Sequence, residues 1–205
     1  MNKKGIKFVA TLLLAVVLVF QGSVSSFAAE MPSFMKTEGN VSQSRMDHIL
    51  ANYVRIPEEV RHRIENDGWT FICSSEDFGA DNGYNYSLLA LTIYDTKTIY
   101  IDNRTKAEPS IIHEVGHIID NTFGFCSESQ EFTNIFNTEH GNVSKFWKTH
   151  HNNTDTRVEY FAESFLIYVM QPEDLQTYCP QTYDYITNVI SIFPEYTKPA
   201  KNTTK

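Results

Sequence analysis

The chain has 205 residues, of which 17 are Lys or Arg and 25 are Asp or Glu, so its formal net charge is −8 at pH 7. An acidic chain has few cations with which to neutralise phosphates, and we therefore expect no nucleic-acid partner. Cys73, Cys126 and Cys179 allow at most one internal disulfide, and their spacing matches no zinc ribbon.

Residues 1–28 have the pattern of a secretory signal peptide. Three lysines precede an apolar run at positions 8–20, and Ala28 ends a small-residue cleavage site. The apolar run is shorter than the roughly 20 residues of a membrane-spanning helix, and no later uncharged stretch is longer. We expect cleavage near Ala28 and a secreted, extracellular protein without a membrane span. The mature chain would keep 14 basic and 25 acidic residues, a net charge of −11.

The mature chain is predicted to form one domain. Residues 29–41 are polar and without periodicity, which indicates a flexible lead, and the polar residues 195–205 indicate a disordered tail. The domain then covers residues 42–194, a length that buries roughly 70% of the unfolded surface.

The first half of this domain is predicted to contain two helices and three strands. Ser42 fits the N-cap of one helix, and Pro57 fits the first turn of the next. Aromatic and β-branched residues indicate strands at 69–73, 88–94 and 98–102, of which the last two form a hairpin.

The second half is predicted to be helical. Apolar residues at helical spacing indicate helices at 128–139, 155–170 and 180–193.

The most informative stretch is His113-Glu114-Val115-Gly116-His117, an H-E-x-x-H pattern on an apolar run. Residues four apart share a helix face, so His113 and His117 can present two imidazole nitrogens to one zinc ion. Glu114 lies beside them and can take a proton from an attacking water and return it to a leaving amine. Two such histidines can also be satisfied core residues, but a buried helix should not carry His, Glu and His without a partner. The pattern predicts one zinc ion per chain and a hydrolase.

A catalytic zinc site needs a third protein ligand, and the predicted helix 155–170 offers two candidates. Glu159 and Glu163 lie four residues apart on one helix face. One is expected to bind zinc and the other to hydrogen-bond the free ring nitrogen of a histidine ligand. Spacing alone does not choose between them.

A substrate cleft is expected beside the metal-binding helix. Peptidases commonly bind an extended substrate as an added strand, and we expect residues 89–94 to form the edge strand. The turn-rich segment 74–86 is expected to cover one end of the cleft, with Phe78, Tyr84 and Tyr86 as substrate contacts.

The sequence resembles the zinc peptidases with the catalytic domain of anthrax lethal factor, and above all their small secreted relatives, the Pro-Pro endopeptidases. Four stretches in the same order carry the resemblance: His113-Glu114-Val115-Gly116-His117 followed by Asp120, the helix from Phe132 to Phe136, Glu159-Tyr160-Phe161-Ala162-Glu163-Ser164-Phe165, and Cys179-Pro180-Gln181-Thr182-Tyr183.

The resemblance implies that Glu159 is the third zinc ligand and that Glu163 orients a histidine. It implies an α+β, zincin-type metallopeptidase domain with a small mixed sheet, an edge strand beside the active-site helix and a mainly helical C-terminal half. It also implies an endopeptidase that acts on peptides or extracellular proteins, with proline-rich substrates cleaved at Pro-Pro bonds. We expect this enzyme to be a monomer.

The sequence departs from the family at two places. The family has a tyrosine seven residues before the ligand glutamate, where its hydroxyl can stabilise an oxyanion, but this chain has Asn152 there. His151, or failing it His150, is expected to supply the missing donor. The Pro-Pro enzymes also have a Gly-Gly pair, a loop tryptophan and an acidic residue before the ligand, where this chain has Asn82-Gly83, no tryptophan and Val158.

The competing interpretation is a lethal-factor-like binding module or toxin component that keeps zinc but has little or no turnover. Glu114 argues against it, because a structural zinc site has no use for a general base. A structural site also prefers four protein ligands, and the sequence shows three. We therefore interpret the chain as a zinc metalloendopeptidase.

Overall fold

The computed structural model describes residues 31–104, 107, 109–148 and 154–197. The predicted signal peptide, His150, His151 and Asn152 lie outside the described residues. The helices and strands are β1 Met35–Glu38, α1 Gln43–Tyr53, α2 Glu58–Asn66, β2 Thr70–Ser74, α3 Phe78–Asp81, β3 Ala90–Ile93, β4 Thr98–Asp102, α4 Ser110–Thr122, α5 Gln130–Glu139, α6 Arg157–Met170, α7 Pro172–Tyr178 and α8 Pro180–Ile192.

The four strands form one mixed sheet in the order β1-β2-β4-β3. β1 and β4 each pair in parallel with β2, and β3 pairs antiparallel with β4. β3 is thus an edge strand, as predicted for residues 89–94, and the β3–β4 hairpin is confirmed. All three predicted strands are present: β4 has the predicted ends, and the ends of β2 and β3 differ by one or two residues.

The prediction of a flexible lead at residues 29–41 was wrong for its central part. Residues 35–38 form β1, with Met35 in the core and the other three side chains exposed. A strand with one buried side chain has almost no hydrophobic pattern by which the sequence could reveal it. β1 is held in the sheet by its parallel pairing with β2, about 35 residues further along the chain.

The main core lies between the sheet and α4. Ile99 and Ile101 of β4 are fully buried, and the helix buries apolar side chains on most of its circumference. α6 also packs against α4, so the helix is buried except at its last turn and on the side that faces the cleft. At Gly116 a Cβ atom would lie 2.7 Å from the Cα of Ala162, so the two helices are in backbone contact there.

The C-terminal half is helical, as predicted. Ser129 and Thr156 cap α5 and α6 by accepting hydrogen bonds from main-chain N–H groups three residues later. Pro172 and Pro180 occupy the first positions of α7 and α8, where a missing N–H costs nothing. The short α7 was not predicted, because Leu175 is its only buried residue and leaves no periodicity to detect.

The end of the domain extends further than predicted. Tyr196, placed by prediction in a disordered tail, packs on Phe123 with ring centroids 4.2 Å apart. Arg63 donates hydrogen bonds to the carbonyls of Pro194 and Tyr196. The first residues of the predicted tail therefore belong to the packed domain.

The three cysteines are free thiols, with Cys73 and Cys179 buried and Cys126 half-buried. Within the described residues, no helix combines the length and apolar character that crossing a membrane requires.

Candidate metal and active site

Helix α4 positions both predicted histidine ligands. His113 and His117 are one turn apart, and their rings lie edge to face with centroids 4.9 Å apart. The helix is held between the sheet and α6, which fixes the direction in which the two imidazoles project. Both face the cleft beside β3.

The third ligand candidate comes from the first turn of α6. Glu159 Oε2 lies 3.3 Å from His113 Nε2, and Glu159 Oε1 lies 3.7 Å from His117 Nε2. Thr156 fixes this turn, because its hydroxyl accepts a hydrogen bond from the Glu159 N–H.

These three side chains fit a catalytic zinc site. One ligand atom from each of His113, His117 and Glu159 lies within 4.8 Å of the other two. Two imidazoles and one carboxylate are a donor set of catalytic zinc, which uses three protein ligands and keeps a fourth position open. The geometry thus places Glu159, rather than Glu163, with the two histidine Nε2 atoms.

Glu163 lies behind the site and is fully buried. Its Oε2 is 3.0 Å from His113 Nδ1, and its Oε1 accepts a hydrogen bond from the indole N–H of Trp147. A carboxylate on Nδ1 fixes the His113 tautomer and leaves Nε2 as the ligand atom. Trp147 in turn fixes the carboxylate, an interaction that the sequence did not reveal.

The charges around the two histidines favour a bound cation. Burial opposes a charge on His113, but hydrogen bonds to Glu159 and Glu163 raise its pKa to about 10. Burial and the charge on His113 lower the pKa of His117 to about 4. Burial also opposes ionisation of Glu159, yet its hydrogen bond with His113 holds its pKa below the usual value. The carboxylates of Glu159 and Glu163 thus favour a positive charge at His113.

Glu114, the predicted base, is buried next to the ligand set and held by the edge strand. Its Oε2 accepts a hydrogen bond of 2.6 Å from the hydroxyl of Thr92 on β3. Burial raises the pKa of Glu114, and the charge of His113 and the Thr92 hydrogen bond act in the opposite direction. A carboxylate with a raised pKa beside a metal site is suited to exchange a proton with substrate.

The cleft in front of these groups has a volume of about 730 Å³. β3 and the segment before it form one wall, and the start of α6 forms the other. Apart from Glu114, Glu159 and the two histidines, the described lining residues are uncharged: Tyr84, Tyr86, Ser87, Leu88, Leu89, Ala90, Leu91, Thr92, Tyr94, Ser110 and Val158. The described walls thus offer neutral and aromatic contacts to a ligand.

The three aromatic residues predicted to contact substrate do not lie together. Tyr84 and Tyr86 line the cleft and pack edge to face against each other. Phe78 does not line it, because its ring is buried and stacks on Tyr100 with centroids 5.4 Å apart. The prediction for Phe78 was therefore wrong. It begins α3 and anchors the loop to the sheet.

Tyr94 is a cleft residue that was not predicted as part of the site. Its ring packs against Trp69 and Phe125, and it lines the same cavity as Glu114 and Glu159. Burial, followed by neighbouring carboxylate charges, raises its pKa, so the phenol stays protonated and can donate a hydrogen bond. Tyr94 and Thr92 are alternate residues of the predicted strand 88–94 and share one of its faces, but nothing in the local sequence marks either residue as part of a site.

Asp120, one turn after His117, has a structural role. It is fully buried and accepts hydrogen bonds from the N–H and hydroxyl of Ser127. These bonds close the loop that follows α4 and leave Asp120 outside the ligand set.

The fold and site together define a zincin-type metallopeptidase domain. Two histidines and a glutamate lie on a helix beside the edge strand of a mixed sheet, and α6 adds a further carboxylate. The chain belongs to the family described as anthrax toxin lethal factor, N- and C-terminal domain, whose model matches residues 74–189.

A solved structure with the same fold is that of the Pro-Pro endopeptidase PPEP-2 from Paenibacillus alvei. It superposes with a TM-score of 0.59 at 17% sequence identity, covering 75% of this chain and 96% of that one. Among curated protein sequences, none is significantly similar to this chain.

Proposed function

We propose that the protein is a secreted, zinc-dependent metalloendopeptidase that hydrolyses peptide bonds in extracellular proteins. The observation that carries the proposal is the convergence of His113, His117 and Glu159 on one point, with Glu114 beside them. A zinc ion bound there would supply Lewis acidity, which polarises the scissile carbonyl and acidifies water.

Within this proposal the chain supplies the proton transfers. Oε2 of Glu114 is engaged by Thr92, which leaves Oε1 to accept a proton from the attacking water and pass it to the leaving amine. His113 is kept in one tautomer by Glu163, so the ligand set does not reorganise during the reaction.

The edge strand supports binding of an extended substrate. An exposed edge presents unpaired backbone N–H and C=O groups, and a peptide can add to it as a further strand. Ala90, Leu91 and Thr92 of β3 line one wall of the cleft. The scissile bond would then lie between β3 and the ligand set.

We further propose that the substrates are proline-rich and are cut at Pro-Pro bonds. Proline has no amide proton and a fixed φ, so it needs a cleft that offers packing rather than strand hydrogen bonds. Tyr84, Tyr86 and Tyr94 supply flat aromatic surfaces there. The name of the structural neighbour points to the same substrate class.

The oxyanion donor in this proposal is His151, or failing it His150. Tyr94 offers a second protonated donor on the cleft wall. Loss of one such donor typically costs about 10²- to 10³-fold in turnover, so each candidate can be tested by substitution.

A peptide library tests the proposed function. The mature protein is incubated with zinc and a mixture of random and proline-rich peptides, and the new termini are sequenced, with Glu114→Ala as the matched control. We expect internal cuts next to or between prolines, absent from the Glu114→Ala sample. Cuts without proline on either side would reject the substrate class alone. Zinc binding without any cleavage would favour the binding module.

A further inference from the structure

The strongest unassigned feature of the site is the contact between the edge strand and Glu114. Thr92 Oγ1 lies 2.6 Å from Glu114 Oε2, which is a short hydrogen bond between a hydroxyl and a carboxylate. Both residues lie on the cleft wall. Neither the H-E-x-x-H pattern nor the ligand set requires a residue at this place.

The register of the sheet explains why Thr92 points at Glu114. Thr92 pairs with Ile99, which is fully buried under α4, and alternate residues of a strand project to the same face. Ala90 and Thr92 therefore face α4. Leu91 pairs with Tyr100 and projects to the opposite face of the sheet.

The main-chain groups of Thr92 point in a different direction from its side chain. Asp102 donates a main-chain hydrogen bond to Leu89, so Leu89 and the alternate residues after it use their backbone groups to pair with β4. By the same alternation, the N–H and C=O groups of Ala90 and Thr92 point to the outer edge, where the Thr92 N–H also contributes a hydrogen bond to the Glu114 carboxylate. Among the described residues no strand lies beyond this edge.

We propose that Thr92 is the positioning residue for the base, and that it links this base to the strand on which substrate docks. Its hydroxyl holds one oxygen of Glu114, and its main chain faces an added substrate strand. A peptide that orders β3 would thereby also order the carboxylate. This inference rests on the proposed peptidase function.

The proposal predicts a specific kinetic change. Thr92→Val keeps the β-branched shape and the main chain but removes the hydroxyl, so substrate still binds while the Glu114 carboxylate loses its hydroxyl donor. We expect kcat to fall about 10- to 100-fold, the usual effect of removing a partner that orients an active-site group. KM should stay within about twofold, because the lost interaction acts on the chemical step.

Two further variants separate positioning from damage to the sheet. Thr92→Ser restores a hydroxyl and should recover most of kcat. Thr98→Val makes the same chemical change on β4, where the hydroxyl bonds to the neighbouring carbonyl of Thr96, and should leave kcat unchanged. Zinc content, measured by mass spectrometry of the metal, should equal that of the wild type in all three proteins.

Thermal unfolding of Thr92→Val, Glu114→Ala and the double variant tests the contact between Thr92 and Glu114 without measuring catalysis. Thr92→Val removes the hydroxyl donor of a buried carboxylate, and this cost disappears once Glu114 is gone. The fall in Tm of the double variant should thus be smaller than the sum of the two single falls.

The outcomes separate this inference from the proposed function. If the wild type cleaves peptides and Thr92→Val cleaves equally fast, or if Thr92→Ser is as slow as Thr92→Val, the Thr92 assignment is overturned and the peptidase proposal stands. If no protein cleaves although zinc is bound, the proposed function fails, and additive Tm shifts would then also overturn the contact itself.

Discussion

Replacing Gly116 by alanine should separate the two helices that carry the metal ligands. A Cβ atom at this position would lie 2.7 Å from Ala162 Cα and 3.1 Å from Ala162 O. Ordinary contact begins at 3.4 Å, so α4 and α6 must part by about 0.7 Å. Metal–ligand distances tolerate only about 0.2 Å. The displacement therefore reaches Glu159, which lies less than one turn before Ala162 on α6.

The substitution is expected to lower both stability and metal affinity. Overpacking costs about 1–3 kcal/mol, and the higher helix propensity of alanine returns up to about 1 kcal/mol. The net loss of roughly 0–3 kcal/mol lowers Tm by at most about 12 °C in a domain of this size. Zinc affinity should fall at least about 10-fold, as it does when ligand geometry is disturbed.

The assay is a competition titration of zinc against a chelator, combined with thermal unfolding. Gly141→Ala is the matched control, because a Cβ there meets no atom within 4 Å, and it should behave as the wild type. Adding Ala162→Gly should not rescue Gly116→Ala, because the contact involves main-chain atoms. A Gly116→Ala protein with wild-type zinc affinity would refute this account of the helix contact.

Two further predictions concern the site itself. Glu159→Ala should lose zinc at a moderate chelator concentration, whereas Glu163→Ala should weaken zinc affinity or activity by only about 10- to 100-fold; metal titration of both variants checks this, and the reverse order would contradict the ligand assignment. Among His151→Ala, His150→Ala and Tyr94→Phe, the variant that removes the oxyanion donor should lower kcat about 10²- to 10³-fold with unchanged zinc content, so wild-type turnover in all three would show that the donor lies elsewhere.

The parts of the site set by helical spacing could be predicted from the sequence. His113 and His117 share a helix face, and Glu159 and Glu163 share another, because both pairs are four residues apart. Spacing could not decide which glutamate reaches the two Nε2 atoms, since that depends on how α4 and α6 pack at Gly116.

The parts set by tertiary contact could not be predicted. Thr92 and Trp147 reach Glu114 and Glu163 from segments 22 and 16 residues away, and nothing local marks either residue as part of a site. Phe78 was predicted to contact substrate because it is an aromatic residue in a turn-rich segment. Its ring instead stacks on Tyr100, because α3 folds back over the sheet. β1 escaped detection for the same reason, as its position depends on β2.

The wide separation of the ligands along the chain has a consequence for folding. His113 and His117 come from one helix, but Glu159 follows 42 residues after His117, so the complete site exists only once α4 and α6 have packed. A metal ion that binds the native state alone stabilises it by mass action, by about 2.7 kcal/mol at a hundred times its Kd. Under the proposed function, zinc would therefore affect folding as well as catalysis. A peptidase stripped of its metal would thus lose, in one step, both its activity and part of its protection against other proteases.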